Sequence, residues 1–147
     1  MENIRVYEVP SCQMVASQCG MFGEGKLEKF NDWFSQFPRP LSPKDYLLFD
    51  KDQGGFVWYY IYDETMTVPE DFSVIDFPGG MYAVGTEVDN TDSTEVIQAI
   101  KTFIDKSPGL VEDTSRFYLG NIPTPPQAEA LLGYNQMDYY VPVKAKE

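Results

Sequence analysis

Short apolar runs separated by turn residues follow one another along the chain and predict β-strands. Residues 74–84 contain an apolar run, the turn Pro78-Gly79-Gly80 and a second apolar run. Residues 4–9 and 12–17 form a similar pair around Pro10, and in both pairs an acidic residue lies two positions before the proline. Because proline lacks the N–H that a strand ladder needs, the break at Pro10 predicts a kink or bulge in one strand.

Two other segments carry apolar residues three and four positions apart, the spacing of one helix face. The first begins at Lys26 and is predicted to end at Pro38, with Leu27, Phe30, Trp33, Phe34 and Phe37 on its apolar face. The second follows the polar residues 90–95, where Asp92 and Glu95 are predicted to form a capping box. It ends near Ser107 and repeats the spacings of the first helix with Ile97, Ile100, Phe103 and Ile104.

The remaining apolar runs predict four further strands and one helical turn. The strands are 46–49, 56–62, 116–122 and 138–144, with a hairpin turn at Gly54-Gly55 and a helical turn at 128–132. Each half therefore has the order strand, helix, strand, strand. We predict a single α+β domain, built from repeats at about 1–68 and 69–147 that are related by pseudo-twofold symmetry and form a central groove.

Composition and charge exclude several kinds of function. The chain has 147 residues, of which 43% are hydrophobic, enough to form a substantial core. Its net charge of −12 argues against direct nucleic-acid binding, which needs clustered Lys or Arg. Histidine is absent, and the two cysteines are expected to be buried thiols, so we predict no metal and no cofactor.

No segment suggests export or membrane insertion. The first residues lack a basic stretch followed by an apolar core, and no apolar run is long enough to span a bilayer. We therefore expect a cytoplasmic protein without a membrane partner. Its acidity favours solubility, although it also suits a cationic ligand or a basic protein partner.

Aromatic residues are the most unusual feature of the composition, with ten Tyr, ten Phe and two Trp. A strand at 56–62 would place Phe56, Trp58, Tyr60 and Tyr62 on one face. Core packing explains such a face, but the polar ends of Trp and Tyr then need partners. Stacking and cation–π contacts offer the alternative of a site for a planar cation.

Four features in order resemble the GyrI-like family, the effector-binding domain of bacterial transcription activators. They are an early Glu-x-Pro segment, residues 77–84 (Phe-Pro-Gly-Gly-Met-Tyr-Ala-Val), a helix that ends at 103–107, and the final Tyr139-Tyr140-Val141-Pro142-Val143. The resemblance covers nearly the whole chain. Without a helix-turn-helix segment before it, the chain would be a stand-alone member.

The resemblance implies a groove that takes small aromatic, often cationic, molecules and recognises them with stacked aromatic rings and a buried glutamate. The ligand-binding residues expected here are Trp33, Trp58, Tyr60, Tyr62, Phe77, Tyr82, Tyr118 and Tyr139, with Tyr140 as the alternative to Tyr139. The family glutamate belongs to the penultimate strand, where this chain has Gly120 or a neighbour instead. Glu8, Asp76 or Glu87 could supply the missing carboxylate.

Three functions remain open at this point. The first is a protein that sequesters or senses small aromatic, cationic compounds, as multidrug-binding relatives do, without catalysis. The second is a hydrolase of reactive small molecules that uses a tyrosine and a carboxylate. The third is an acidic inhibitor that binds a nucleic-acid enzyme such as gyrase.

Overall fold

A computed structural model describes residues 3–38, 44–89 and 92–147. In these ranges the chain forms nine strands and three helices. Their bounds are β1 Arg5–Val9, β2 Cys12–Ala16, α1 Lys26–Phe34, β3 Asp45–Asp50, β4 Gly55–Ile61, β5 Ser73–Phe77, β6 Gly80–Val88, α2 Thr94–Lys106, β7 Leu110–Glu112, β8 Leu119–Asn121, α3 Pro126–Leu132 and β9 Gln136–Ala145. No helix in the described ranges is long and apolar enough to cross a membrane.

The chain divides into two compact units. The first, Pro10–Gly79, is called the β2–β5 unit. The second joins Met1–Val9 to Gly80–Glu147 and is called the β6–β9 unit, although it also contains β1. Each unit has its own antiparallel strand ladders and its own helix-covered core.

The two units share one strand order. In the β2–β5 unit the order is β3-β4-β2-β5, and in the β6–β9 unit β8-β9-β6-β1, with β7 paired to β9. Along the chain both units have the order strand, helix, strand, strand, as β2-α1-β3-β4 and as β6-α2-β8-β9, with the short β7 and α3 inserted in the second. The predicted α+β class and element order are therefore confirmed. The repeat bounds of about 1–68 and 69–147, the single domain and the central groove stay predictions.

The break at Pro10 separates two strands instead of kinking one. β1 pairs with β6, whereas β2 pairs with β4 and β5. The prediction of one kinked strand is wrong because the chain leaves one sheet edge at Pro10 and enters a different ladder at Cys12.

Both main helices form where the periodicity predicts them, but their ends differ from the predictions. Helix α1 ends at Phe34, so Phe37 lies beyond its last turn. Helix α2 has Ser93 at its N-cap without a side-chain hydrogen bond to the backbone. The predicted capping box is wrong, because Asp92 accepts hydrogen bonds from the backbone N–H and hydroxyl of Thr94, at 2.9 and 2.5 Å. Residues 90–91 of the predicted start lie outside the described ranges.

The strand predicted at 116–122 is much shorter in the structure. Only Leu119–Asn121 of this segment pairs, as β8. Arg116 lies before the strand, and its side chain donates to backbone carbonyls of β6 and β9. The short strand β7 was not predicted, and α3 begins two residues before the predicted helical turn.

Candidate functional site

One face of the β6–β9 sheet is covered by helix α2. Ala83 of β6 and Val141 and Val143 of β9 pack with Val96, Ile100 and Ile104 of the helix. Successive side chains of a strand point to opposite faces, so Tyr82, Val84 and Thr86 lie on the other face. Residues paired directly across an antiparallel ladder share a face, which adds Asp138 and Tyr140 of β9 and Asn121 of β8.

This helix-free face carries a polar group, here called the Asp138 cluster and defined as Arg5, Thr86, Asn121, Asp138 and Tyr140. Arg5 and Thr86 are exposed, and the other three residues are buried. Asp138 is 8% exposed, and it is the only buried carboxylate among the described residues. The Thr86 hydroxyl donates to Asp138 Oδ1 at 2.6 Å, and Arg5 Nη2 lies 3.7 Å from the same oxygen. A buried carboxylate needs such partners, since an unpaired charge is costly to remove from water.

Asn121 lies directly opposite Asp138 in the β8–β9 ladder. Its side chain is 4% exposed, and its amide nitrogen donates to the Tyr140 hydroxyl at 3.2 Å. Its Oδ1 has no hydrogen-bond partner within the described part of the chain. A buried carbonyl oxygen without a partner is rare, and it marks a position where a ligand donor would be favourable.

Two tyrosines continue the cluster along the same face. The Tyr82 and Tyr140 rings meet edge to face, with centroids 5.9 Å apart and planes at 76°. The Arg116 guanidinium lies 4.8 Å from the centroid of the Tyr82 ring. Tyr82 is only 2% exposed, so its ring is held in place by protein on more than one side.

Arg116 is itself anchored by hydrogen bonds. Its guanidinium donates to the Asp113 carboxylate at 2.9 Å, and to the carbonyls of Met81 and Val143 at 3.0 and 2.8 Å. Hydrogen bonds from Ser115 and Arg116 hold the pKa of the Asp113 carboxyl far below its usual range. The resulting cation beside Tyr82 is a fixed part of the fold.

The fold is shared with several solved structures. EcmrR, in the cryo-EM structure of an EcmrR–DNA complex, matches 97% of this chain with a TM-score of 0.67 at 8% identity, and this chain spans 57% of its length. A hydrolase from Listeria innocua matches 96% of this chain and 91% of its own, with a TM-score of 0.65 at 12% identity. SAV2435 bound to tetraphenylphosphonium matches 97% of this chain and 94% of its own, with a TM-score of 0.54 at 12% identity.

The chain has the GyrI-like fold. The resemblance found in the sequence is thus confirmed at the level of the fold. No protein-family model and no curated protein sequence matches the chain. Because the same fold occurs in binding proteins and in a hydrolase, the fold alone does not decide the function, which depends on the residues of this chain.

In this GyrI-like fold, four of the predicted ligand residues lie together where helix α1 packs on its strands. Trp33, Trp58, Tyr60 and Tyr62 surround Phe30 and Phe72 in the core of the β2–β5 unit. Trp58 Nε1 donates to Asp45 Oδ2 at 3.1 Å, and Trp33 Nε1 donates to the Thr67 carbonyl at 3.2 Å. Both indoles therefore have protein partners, and the cluster is packed as a core. Its role in ligand binding stays a prediction.

The other predicted ligand residues are distributed over both sheets. Phe77 is buried at the end of β5, where its ring meets that of Tyr59 with centroids 6.1 Å apart. Tyr118 and Tyr139 pack against the core under helix α2. Tyr139 is thus on the helix-covered face, and the alternative, Tyr140, is the one that lies beside Tyr82.

The buried carboxylate was missed in the sequence. Glu8 and Asp76 are exposed, and Glu87 accepts a hydrogen bond from the backbone N–H of Val88 at 3.0 Å. Asp138, the third residue of β9, is the carboxylate that is buried instead. A signal did exist, because Asp138, Tyr140 and Pro142 alternate with apolar residues, as one face of a strand would.

The tyrosines are poorly suited to act as nucleophiles. Burial raises the pKa of the Tyr82 and Tyr139 hydroxyls, and for Tyr82 the charge of Arg116 only partly opposes this effect. Both hydroxyls therefore stay protonated and neutral near neutral pH. The site can donate and accept hydrogen bonds and pair with a cation.

A concavity of about 260 Å³ lies at the C-terminal end of α2, away from the Asp138 cluster. Its lining consists of Lys101, Ile104, Asp105, Ser107, Leu110, Val111, Glu112 and Lys146. It has mixed charge and no aromatic residue, so it suits a planar cation less well than the Asp138 cluster. No group of three or more potential metal ligands occurs in the described ranges.

Proposed function

We propose that this chain binds small aromatic compounds that carry a positive charge, and that it sequesters or senses them in the cytoplasm of a bacterium. The observation that carries the proposal is the Asp138 cluster, where a buried carboxylate adjoins the Tyr82–Tyr140 ring pair on one sheet face. A carboxylate removed from water attracts a cation more strongly than an exposed one. Aromatic rings beside it add stacking contacts with a planar ligand.

The ion pair already present does not oppose this function. Arg5 holds Asp138 at 3.7 Å, and the Arg5 side chain is 50% exposed. The 3.7 Å separation exceeds hydrogen-bond length, and the exposed Arg5 side chain can turn to solvent when another cation pairs with the carboxylate. A ligand cation can therefore replace Arg5 at the carboxylate with little loss.

The comparisons support the same proposal. SAV2435, which shares the fold, has been solved with tetraphenylphosphonium, a cation that carries four aromatic rings. EcmrR, solved in a complex with DNA, shares the fold, and this chain spans 57% of the length of EcmrR. Any link of this chain to a separate DNA-binding regulator is likewise a proposal.

The test is a fluorescence titration with two dyes of the same ring system. Rhodamine 123 is a cation and fluorescein is an anion, so only the first should show saturable binding. Replacing Asp138 by Asn should weaken rhodamine 123 binding by about tenfold, because the charged partner is lost. Glu8→Gln, an exposed carboxylate of β1, serves as the matched control and should leave the affinity unchanged.

The proposal fails if rhodamine 123 shows no saturable binding up to about 1 mM, which corresponds to only about 4 kcal/mol. Equal binding of both dyes, or an unchanged affinity in Asp138→Asn, would remove the assigned role of the carboxylate.

A hydrolase is the second candidate, because a protein described as a hydrolase from Listeria innocua shares the fold. The raised pKa of the Tyr82 and Tyr139 hydroxyls argues against it. Turnover of a reactive ester or epoxide that is lost in Tyr82→Phe or Tyr139→Phe would support this candidate. Activity that survives both changes would exclude these tyrosines as the catalytic groups.

A further inference from the structure

We propose that Asn121 is a specificity-determining residue, which makes the Asp138 cluster select cations that carry N–H donors over cations that have none. This inference rests on the proposed function and goes beyond it to the chemical class of the ligand. Its basis is a buried amide whose carbonyl oxygen is unused, next to a buried carboxylate.

The position of Asn121 in the ladder sets the geometry. Asn121 and Asp138 are direct partners in the β8–β9 register, so their Cα atoms lie about 4.5–5.5 Å apart and their side chains share a face. The two side chains therefore place an amide oxygen and a carboxylate side by side. An ammonium, amidinium or protonated anilinium group can donate one hydrogen to each.

A hydrogen bond from its nitrogen fixes the orientation of the Asn121 amide. Its nitrogen donates to the Tyr140 hydroxyl, and the Tyr140 ring packs against Tyr82. The side chain is 4% exposed, so water does not replace the missing donor freely. A ligand that supplies the donor removes the cost of the unpaired oxygen, whereas a ligand without N–H groups leaves that cost in place.

The Asp138 carboxylate and the Asn121 amide oxygen select ligands in different ways. Asp138 attracts any cation, including one without hydrogen-bond donors. The Asn121 oxygen is neutral, so it distinguishes between cations by their donors and not by their charge. In the penultimate strand the resemblance implied a glutamate. A glutamate there would add a second negative charge and would not distinguish cations by their N–H donors.

The test compares two dyes that share a ring system and a positive charge. Rhodamine 123 carries N–H groups on its xanthene, and in tetramethylrhodamine methyl ester methyl groups replace them. We expect wild-type protein to bind rhodamine 123 about tenfold more tightly in fluorescence anisotropy titrations, since a buried acceptor left unpaired typically costs that much or more.

Variants separate the hydrogen bond from the size of the methyl groups. Asn121→Leu keeps the branched side-chain shape, although Leu is larger, and removes the acceptor, so the preference should fall to less than about threefold. Asn121→Asp adds a charge and should tighten binding of the methylated dye. Gln98→Leu, which removes an exposed amide of helix α2, is the matched control and should keep the wild-type preference. Circular dichroism at each step confirms that the variants are folded.

Each outcome bears on the inference. Equal affinities of wild-type protein for the two dyes overturn it and leave the proposed function intact. A preference that persists in Asn121→Leu assigns the discrimination to size and also overturns it. Failure of both dyes to bind contradicts the proposed function itself, and the inference falls with it. If Asn121→Leu does not fold, the wild-type comparison and Asn121→Asp still decide.

Discussion

Asp45, at the start of β3, is a half-buried carboxylate beneath the aromatic cluster of the β2–β5 unit. Its burial raises the pKa of the carboxyl, and the hydrogen bond from Trp58 Nε1 at 3.1 Å only partly opposes the rise. The folded state therefore binds this proton more tightly than the unfolded state. Stability from this group is greatest at low pH and is lost as the pH rises through the raised pKa.

Replacing Asp45 by Asn should remove the loss of stability that accompanies deprotonation of Asp45 at rising pH. The Asn oxygen can still accept from Trp58, but it does not titrate. Relative to wild type, the variant should gain free energy of unfolding as the pH increases from about 4 to 7, measured by urea denaturation at each pH. Asp76→Asn, an exposed carboxylate of β5, should follow the wild-type profile. If the free energy of unfolding of Asp45→Asn changed with pH in parallel with that of wild type, the pH dependence would not come from Asp45.

Gly80, the first residue of β6, combines two constraints. Its φ angle of 132° is one that L side chains rarely adopt. A Cβ there would overlap Arg116 Nη1 and come within 2.7 Å of Arg116 Cζ. Only glycine lets the Arg116 guanidinium reach the Met81 carbonyl and the Tyr82 ring.

We expect Gly80→Ala to lower the free energy of unfolding by about 2–4 kcal/mol, from backbone strain together with displacement of Arg116. Thermal and urea denaturation measure the effect. Gly109→Ala is the matched control, because Gly109 has nothing within 4 Å of the added Cβ, and it should change stability by less than about 0.5 kcal/mol. Equal effects of the two changes would argue against the constraint at Gly80.

The Phe30 ring makes the main contacts between helix α1 and the strands beneath it. Phe30 is fully buried and meets Trp33, Phe34, Trp58 and Phe72 with centroids 4.9–6.4 Å apart. Because the helix has only nine residues, its stability depends on this packing more than on intrinsic propensity.

Phe30→Ala should therefore destabilise the protein by about 3–5 kcal/mol, through lost contacts and the cavity that remains. Far-UV and near-UV circular dichroism during urea denaturation would report the helix and the aromatic cluster separately. Leu131→Ala in α3 is the control, since Leu131 is 88% exposed and its truncation should cost almost nothing. A small effect for Phe30 would mean that the cluster repacks without it.

At the scale of the whole molecule, charge is the dominant property. A net charge of −12 on 147 residues produces a negative field that attracts cations before they reach a site. Salt screens that field, with a Debye length of about 10 Å at 0.1 M.

The association rate of rhodamine 123 should consequently fall several-fold between about 0.02 and 0.5 M NaCl, measured by stopped-flow fluorescence. The dissociation rate should change much less, because contacts inside the Asp138 cluster are less exposed to ions. A salt-independent association rate would show that the overall charge takes no part in ligand capture.

Much of the fold could be predicted from periodicity. The apolar spacing that places Leu27 and Phe30 on one face, and Ile100 and Ile104 on another, is local, so both helices were found. The alternation in β4 likewise assigned Trp58 and Tyr60 to one face, and both contribute to the same aromatic cluster.

The candidate site could not be predicted in the same way. Arg5, Thr86, Asn121 and Asp138 come from four strands that are distant in sequence, and each looks ordinary among its neighbours. No local pattern states that β8 pairs with β9, or in which register. A shift of one residue would have turned Asn121 to the other face.

The sequence by itself determined the class of the fold, the two helices, the strand, helix, strand, strand order and the acidic character, because these follow from local spacing and composition. Tertiary structure alone decided that Pro10 separates two ladders, that Tyr140 and not Tyr139 adjoins Tyr82, and that Asp138 is the buried carboxylate. The physical reason is that strand register and burial arise from pairing between distant segments, and the free energy of that pairing is not encoded in any one of them.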